Sequence, residues 1–168
     1  GRAAFVGKVA DDPLGDVFEA DLDVFFTRHW ISVGLECEVP EAGDAVVIDI
    51  GKISVILLRD DENEIRVVRN VCRHRGSRLV DGSSGCAKKL VCPYHQWTYE
   101  TDGRLLWARD MGPDFDAGKH GLKQLHCDTA AGMVFVCLAE TAPDFSGVKA
   151  AADRYTAAHS IADLKVAH

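Results

Sequence analysis

No run of apolar residues in this chain approaches the roughly 18 needed to cross a bilayer, although 47% of its residues are hydrophobic. A membrane-spanning protein is therefore not expected. No leader of basic, apolar and small residues opens the sequence, which begins Gly1-Arg2 with no initiator methionine and so reads as a cut or processed product. Internal repeats and low-complexity tracts are absent, which excludes solenoids and disordered linkers. Positive charge is in deficit, with 19 Lys and Arg against 26 Asp and Glu and a net charge of −7. A broad nucleic-acid-binding surface is not expected from that balance. At 168 residues the chain is long enough for one hydrophobic core without covalent staples.

What the chain does have is two short mixed pairs, Cys72-Arg-His74 and Cys92-Pro-Tyr-His95, separated by seventeen residues. Each pair offers one thiolate and one imidazole. That is the ligand set of a Rieske [2Fe–2S] centre, in which two cysteines hold one iron and two histidines the other. Two ferric ions, two sulfides and two thiolates sum to zero charge, so adding an electron is easier than in an all-cysteine cluster. Gly76 lets the first loop bend close to the sulfides, and Pro93 stiffens the second. Trp97 and Tyr94 are placed to wall a cluster from water. A Cys₂His₂ zinc site uses the same four residues, but such sites usually pair cysteine with cysteine and histidine with histidine. The mixed pairs favour iron and sulfur.

The stretch NVCRHRGSRLVDGSSGCAKKLVCPYHQWTYETDGRL over residues 70–105, with FFTRHWISVG at 25–34 and GMVFVCL at 132–138, resembles the N-terminal Rieske domain of Rieske non-haem iron oxygenase α-subunits. The resemblance implies a mainly β Rieske fold of stacked antiparallel sheets, with two cluster-binding hairpin loops and short peripheral helices. It also implies that Cys72, His74, Cys92 and His95 bind the cluster. High-potential Rieske proteins carry an extra cysteine in each loop, joined as a disulfide. Ser77 and Tyr94 stand about there, and Trp97 replaces a hydroxyl donor, so a potential low in the Rieske range of about −150 to +300 mV is expected. Family members hold a mononuclear ferrous iron on two histidines and a carboxylate in a second domain. His29, His120, His126, His159 and His168 show no such spacing, and the chain stops at Leu-Lys-Val-Ala-His where that domain would begin. It is therefore expected to hold an electron but not to activate oxygen. The resemblance further implies a ferredoxin or flavin reductase as donor. It implies contact of His95 with the catalytic domain of a neighbouring α-subunit, and a homotrimer when full length. The motif wording is most like demethylases of quaternary ammonium compounds such as glycine betaine, with aromatic-ring hydroxylases the alternative. A free-standing Rieske ferredoxin is the rival reading.

The pattern of short apolar runs predicts strands over 31–38, 45–50, 53–58, 65–70, 89–92, 97–100, 104–107, 122–127 and 133–138, after an amphipathic helix at 21–30. Turns are expected at Gly51-Lys52 and Asp102-Gly103. Residues 1–30 read as a lead-in, 31–142 as the Rieske domain and 143–168 as a partly helical tail. Cys37, Cys86, Cys127 and Cys137 remain as free thiols, which suits a reducing cytoplasm. Arg66, Arg69, Arg73, Arg75 and Arg78 fall in a stretch, 65–80, without one acidic residue, and Lys88 and Lys89 precede the second pair. These form a candidate positive collar for an acidic donor; the alternative is pairing with Asp60, Asp61, Glu62 and Glu64.

Overall fold

A computed structural model describes residues 15, 17, 20–82, 84–86 and 88–166. Among the described residues, ten strands make three antiparallel sheets. β2 (Asp44–Ile50), β3 (Ile53–Arg59), β4 (Ile65–Arg69) and β5 (Ser84–Cys86) form one in the order β4-β3-β2-β5. β1 (Trp30–Leu35), β9 (His126–Ala130) and β10 (Met133–Cys137) form a second in the order β1-β10-β9, and β6 (Leu90–Val91), β7 (Thr98–Tyr99) and β8 (Leu105–Trp107) a third.

The parity of β3 explains why the sheets stack. Side chains alternate faces along a strand, yet Val55, Ile56, Leu57 and Leu58 are all buried. Val55 and Leu57 pack with Val134 and Val136 of β10, whereas Ile56 and Leu58 pack with Leu90 and Tyr99 of the third sheet and with Trp97 just before β7. β4 divides in the same way, Val67 to one core and Val68 to the other. The four-stranded sheet is thus the middle layer. Beyond β10, Phe135 points outward to Phe145 and to Ala152 of helix α1 (Ser146–Thr156). The expected stack of antiparallel sheets is what the chain forms.

Both expected turns are present. Ile50 pairs with Ile53 around Gly51 at φ 58, and Gly103 at φ 87 donates to the Glu100 carbonyl. Several boundaries differ from expectation. The first strand stops at Leu35 because the Glu38 carboxylate accepts the Leu35 amide at 2.7 Å and turns residues 36–38 into a 3₁₀ helix. Ser84–Cys86 falls outside every expected strand but pairs with Asp44–Val46 through its backbone, which composition does not signal. Residues 122–125 touch β4 by single bonds, such as Leu125 N to Val67 O at 2.9 Å, and the ladder begins at His126. The lead-in helix is real but partly π-helical over Leu22–Phe26, and Val24, Phe25 and Phe26 are exposed rather than facing the core. Residues 1–14, 16, 18, 19 and His168 lie outside the described residues.

Candidate metal centre

Two loops carry the mixed pairs, residues 72–77 after β4 and residues 92–97 between β6 and β7. Their backbones are closed by the same two hydrogen bonds. In the first, Gly76 N donates to Cys72 O at 3.0 Å and Cys72 N to Ser77 O at 2.8 Å. In the second, Gln96 N donates to Cys92 O at 2.9 Å and Cys92 N to Trp97 O at 2.8 Å. The fifth residue of each loop is left-handed, Gly76 at φ 73 and Gln96 at φ 61. The histidines, however, sit one position apart, His74 third in its loop and His95 fourth.

That arrangement sorts the four donors by kind. Cys72 and Cys92 are buried, at 2% and 1% exposure, within the core formed with Leu79, Leu90, Trp97 and Tyr99. Their thiols are neighbours. Burial pushes the Cys72 thiol up, the Tyr99 hydroxyl and the His74 amide pull it down, and the Cys92 thiol pushes it up again. The imidazoles of His74 and His95 meet edge to face at 4.6 Å between centroids. They form part of the floor of an open hollow of about 360 Å³ that Arg75, Gln96, Arg109 and Met111 help to line. Burial, then the charges of His95 and Arg75, lower the His74 pKa and favour the neutral ring that metals bind.

Aromatic side chains close the rest. Trp97, 1% exposed, stacks on His74 at 4.8 Å and 8° between planes, and is itself backed by Phe115 at 5.5 Å and His120 at 5.9 Å. Tyr94 covers His95 at 3.8 Å but is 61% exposed, so it screens a face without sealing the site. Two residues of the site were not legible as such in the motif. The Tyr99 hydroxyl lies 3.2 Å from Cys72 Sγ and accepts the Arg73 amide at 3.0 Å. Since Oη already accepts that N–H, its own proton is free to point at the sulfur. Burial and the Cys72 contact push the Tyr99 pKa well above its ordinary value. Asn70 anchors the first loop from below, through bonds to Leu79 and Val80. A buried polar side chain must find partners, and strand parity would have flagged Tyr99 as inward.

The donor set fits a two-iron cluster. His74 Nδ1 is buried without a hydrogen-bond partner, which leaves that ring nitrogen available to a metal. Among the described residues no three His, Cys, Asp or Glu side chains gather as around a single ion. A zinc site needs four donors about one point, whereas two irons need two each. Thiols paired with thiols and imidazoles with imidazoles suit the second case.

Part of the basic collar is paired. Arg66 bonds Asp60 at 2.8 Å, Arg78 lies 3.2 Å from Asp49, and Lys89 bonds Glu100. Arg73 and Arg75 are exposed, with no ion pair among the described residues. Of the other described histidines, His29, His126 and His159 do not line the hollow, and His120 packs behind Trp97. His126 faces outward beside the half-buried Cys127, as their neighbouring strand positions require.

Comparison with known proteins places this geometry. The family model for the Rieske [2Fe-2S] domain matches residues 29–130, more than half of the chain. The glycine betaine monooxygenase oxygenase subunit of Chromohalobacter salexigens is 46% identical over 152 residues, which cover 90% of this chain and 34% of that subunit. The chain thus spans about a third of this curated relative. A structure of the quaternary ammonium Rieske monooxygenase CntA, described for carnitine oxidation and inter-subunit electron transfer, matches with a TM-score of 0.83 at 31% identity, over 91% of this chain and 43% of that one. Naphthalene 1,2-dioxygenase from Rhodococcus sp. matches with a TM-score of 0.75 at 29% identity, over 79% and 31%. No described helix is long and apolar enough to cross a membrane. By the family model and the shared fold, the chain belongs to the Rieske [2Fe–2S] domain family, and the relatives it matches are oxygenase subunits.

Proposed function

We propose that Cys72 and Cys92 hold one iron of the [2Fe–2S] cluster and His74 and His95 the other, and that the chain relays single electrons for an oxygenase. The sorting of donors carries this reading: sulfurs inward against the core, imidazoles outward at the hollow. A cluster bound there supplies one-electron storage, at a potential raised by its two neutral ligands. The chain's own residues direct that storage. Tyr99 offers a proton to the inner sulfur, Trp97 keeps water from His74, and the core closes the thiol side. Electrons therefore pass at the imidazole edge.

The donor is a ferredoxin or flavin reductase, and exposed Arg73 and Arg75 suit an acidic one. The acceptor is the mononuclear iron in the catalytic domain of a neighbouring α-subunit, met by His95 within a homotrimer. Residues 31–142 are the electron-carrying domain, with 1–30 leading in and 143–168 leading out. Four remaining free thiols, Cys37, Cys86, Cys127 and Cys137, support a cytoplasmic setting. The substrate class is a quaternary ammonium compound undergoing oxidative demethylation, and the 46% identity to the glycine betaine enzyme supports that over ring hydroxylation.

Anaerobically purified protein tests the ligand assignment. Two irons and two acid-labile sulfides per chain, with a rhombic EPR signal on reduction, are expected, and replacing His74 and His95 together abolishes them. Metal content that survives the double replacement overturns the assignment. Turnover of glycine betaine against naphthalene by the full-length protein tests the substrate class.

A further inference from the structure

The two cluster loops share a backbone but not an anchor. The second rides on its own ladder, where Leu90 pairs with Tyr99 and Val91 with Thr98 on either side of it. The first leaves β4 at Arg69, and among the described residues no strand follows until β5, which pairs elsewhere, with β2. A single side chain supplies the missing pairing. Asn70, 1% exposed, accepts the amides of Leu79 and Val80 at Oδ1, both at 3.0 Å. Its Nδ2 donates to Val80 O at 2.8 Å and to Ser54 Oγ at 3.2 Å. Its backbone amide donates to Ser54 O at 3.0 Å. The carboxamide therefore behaves as one peptide unit of an absent strand, joining both ends of the loop to each other and to β3. Every donor and acceptor of the side chain is used, which a buried amide needs in order not to cost stability.

We propose that Asn70 is the positioning residue for the first cluster loop. It fixes where Cys72 and His74 stand opposite Cys92 and His95, and with that the lifetime and electronic symmetry of the cluster. The inference rests on the ligand assignment above. Without Asn70 the inner turn of the loop survives, because Cys72 and Ser77 bond each other independently. What is lost is the placement of that turn. The cluster then still assembles, but between ligand pairs free to shift relative to each other.

The test uses the 168-residue chain loaded with iron and sulfide. Asn70→Ala is compared with Asn70→Asp, which keeps the acceptor oxygen for Leu79 and Val80, and with Val134→Ala, which opens the other core on β10. Bleaching by an iron chelator, below the unfolding temperature, is expected to run at least tenfold faster for Asn70→Ala, with altered or broadened EPR g values. Asn70→Asp should recover most of the bleaching rate. Val134→Ala should keep the wild-type rate and spectrum despite an equal or larger loss of Tm. An Asn70→Ala protein that bleaches and resonates like Val134→Ala overturns the proposal. Should Asn70→Ala fail to fold, Ser54→Ala removes one bond alone and is expected to speed bleaching about twofold; an unchanged rate refutes the idea. His74→Ala separates the two layers: if that variant keeps the wild-type EPR signal, it is the ligand assignment that fails.

Discussion

Replacing Tyr99 with phenylalanine removes one oxygen from the buried side of the cluster site and should lower its reduction potential. The hydroxyl sits 3.2 Å from Cys72 Sγ and accepts the Arg73 amide at 3.0 Å; a thiolate bound to iron has no proton to give, so the hydroxyl is the donor to the sulfur. A hydrogen bond to a charged acceptor is worth about 1.5–3 kcal/mol. The potential feels only the part gained when the electron adds negative charge. Taking that part as about half, or 0.7–1.5 kcal/mol, a one-electron couple falls by about 30–65 mV, at 59 mV per 1.36 kcal/mol. Tyr99 is fully buried, so water cannot replace the lost donor. Direct voltammetry of the loaded chain at neutral pH reads the shift, with thermal unfolding measured alongside to separate it from destabilisation. A potential that stays within 10 mV (roughly the measuring error), or that rises, would refute the reasoning, because the hydroxyl would then not be pointing its proton at the sulfur.

Asp60 is buried in the β3–β4 turn, where it accepts the amides of Glu62 and Glu64 and the Arg66 guanidinium at 2.8–2.9 Å. Burial alone would push its carboxyl up, but the bonds from Arg66, Glu64 and Glu62 and the Arg66 charge win and hold it below the usual carboxylate range. Its contribution is therefore complete above an unfolded pKa of about 3.9 and is lost as pH falls through the lower folded value. Asp60→Asn should cost about 1–3 kcal/mol at pH 7 in urea denaturation, with the gap to wild type narrowing at pH 3; a constant gap would contradict the assignment. Gly132 has φ 79, and a Cβ there would stand 2.6 Å from Ala162 Cα. Gly132→Ala should cost about 1–3 kcal/mol and loosen the 161–163 turn, seen as faster amide exchange in that segment; unchanged exchange would mean the contact is not made in solution. Gln96 holds a left-handed backbone where the sister loop has glycine, so Gln96→Gly should stabilise the chain by about 0.5–1 kcal/mol. A loss of stability would mean the glutamine side chain contributes more than its backbone strain costs.

The parts of this molecule legible in its sequence were those set by a period or a spacing. The run Val55-Ile-Leu-Leu58 read as a strand, and the turn glycines marked where strands end. The four proposed donors stand out in the sequence by their order, and the fold brings their two loops together. What stayed hidden depends on backbone pairing between distant segments. Ser84–Cys86 joins β2 with no apolar side chain to announce it, and residues 122–125 look like a strand yet make isolated bonds. The exposed Phe25 and Phe26 show the converse, an apolar pattern left largely in solvent, with the Phe25 ring 6.2 Å from that of His29.

The unequal spacing of the two pairs, one residue against two, acquires a physical reason from the matched loops. Because both backbones close with the same two bonds, His74 occupies the position of Tyr94 and His95 that of Arg75. Loop two therefore places an aromatic ring at each site the histidines need covered, Tyr94 over His95 and Trp97 over His74. Loop one instead has His74 and Ser77 at the corresponding positions, and the exposed Arg75 where loop two has His95. Shielding thus comes from one loop and positive charge from the other. Equal spacing on equal backbones would place the two imidazoles at equivalent positions, with Tyr94 displaced from covering one of them. The offset lets two nearly identical turns present different faces to the hollow, one apolar and one cationic, and on the proposed electron route a docking protein would meet both.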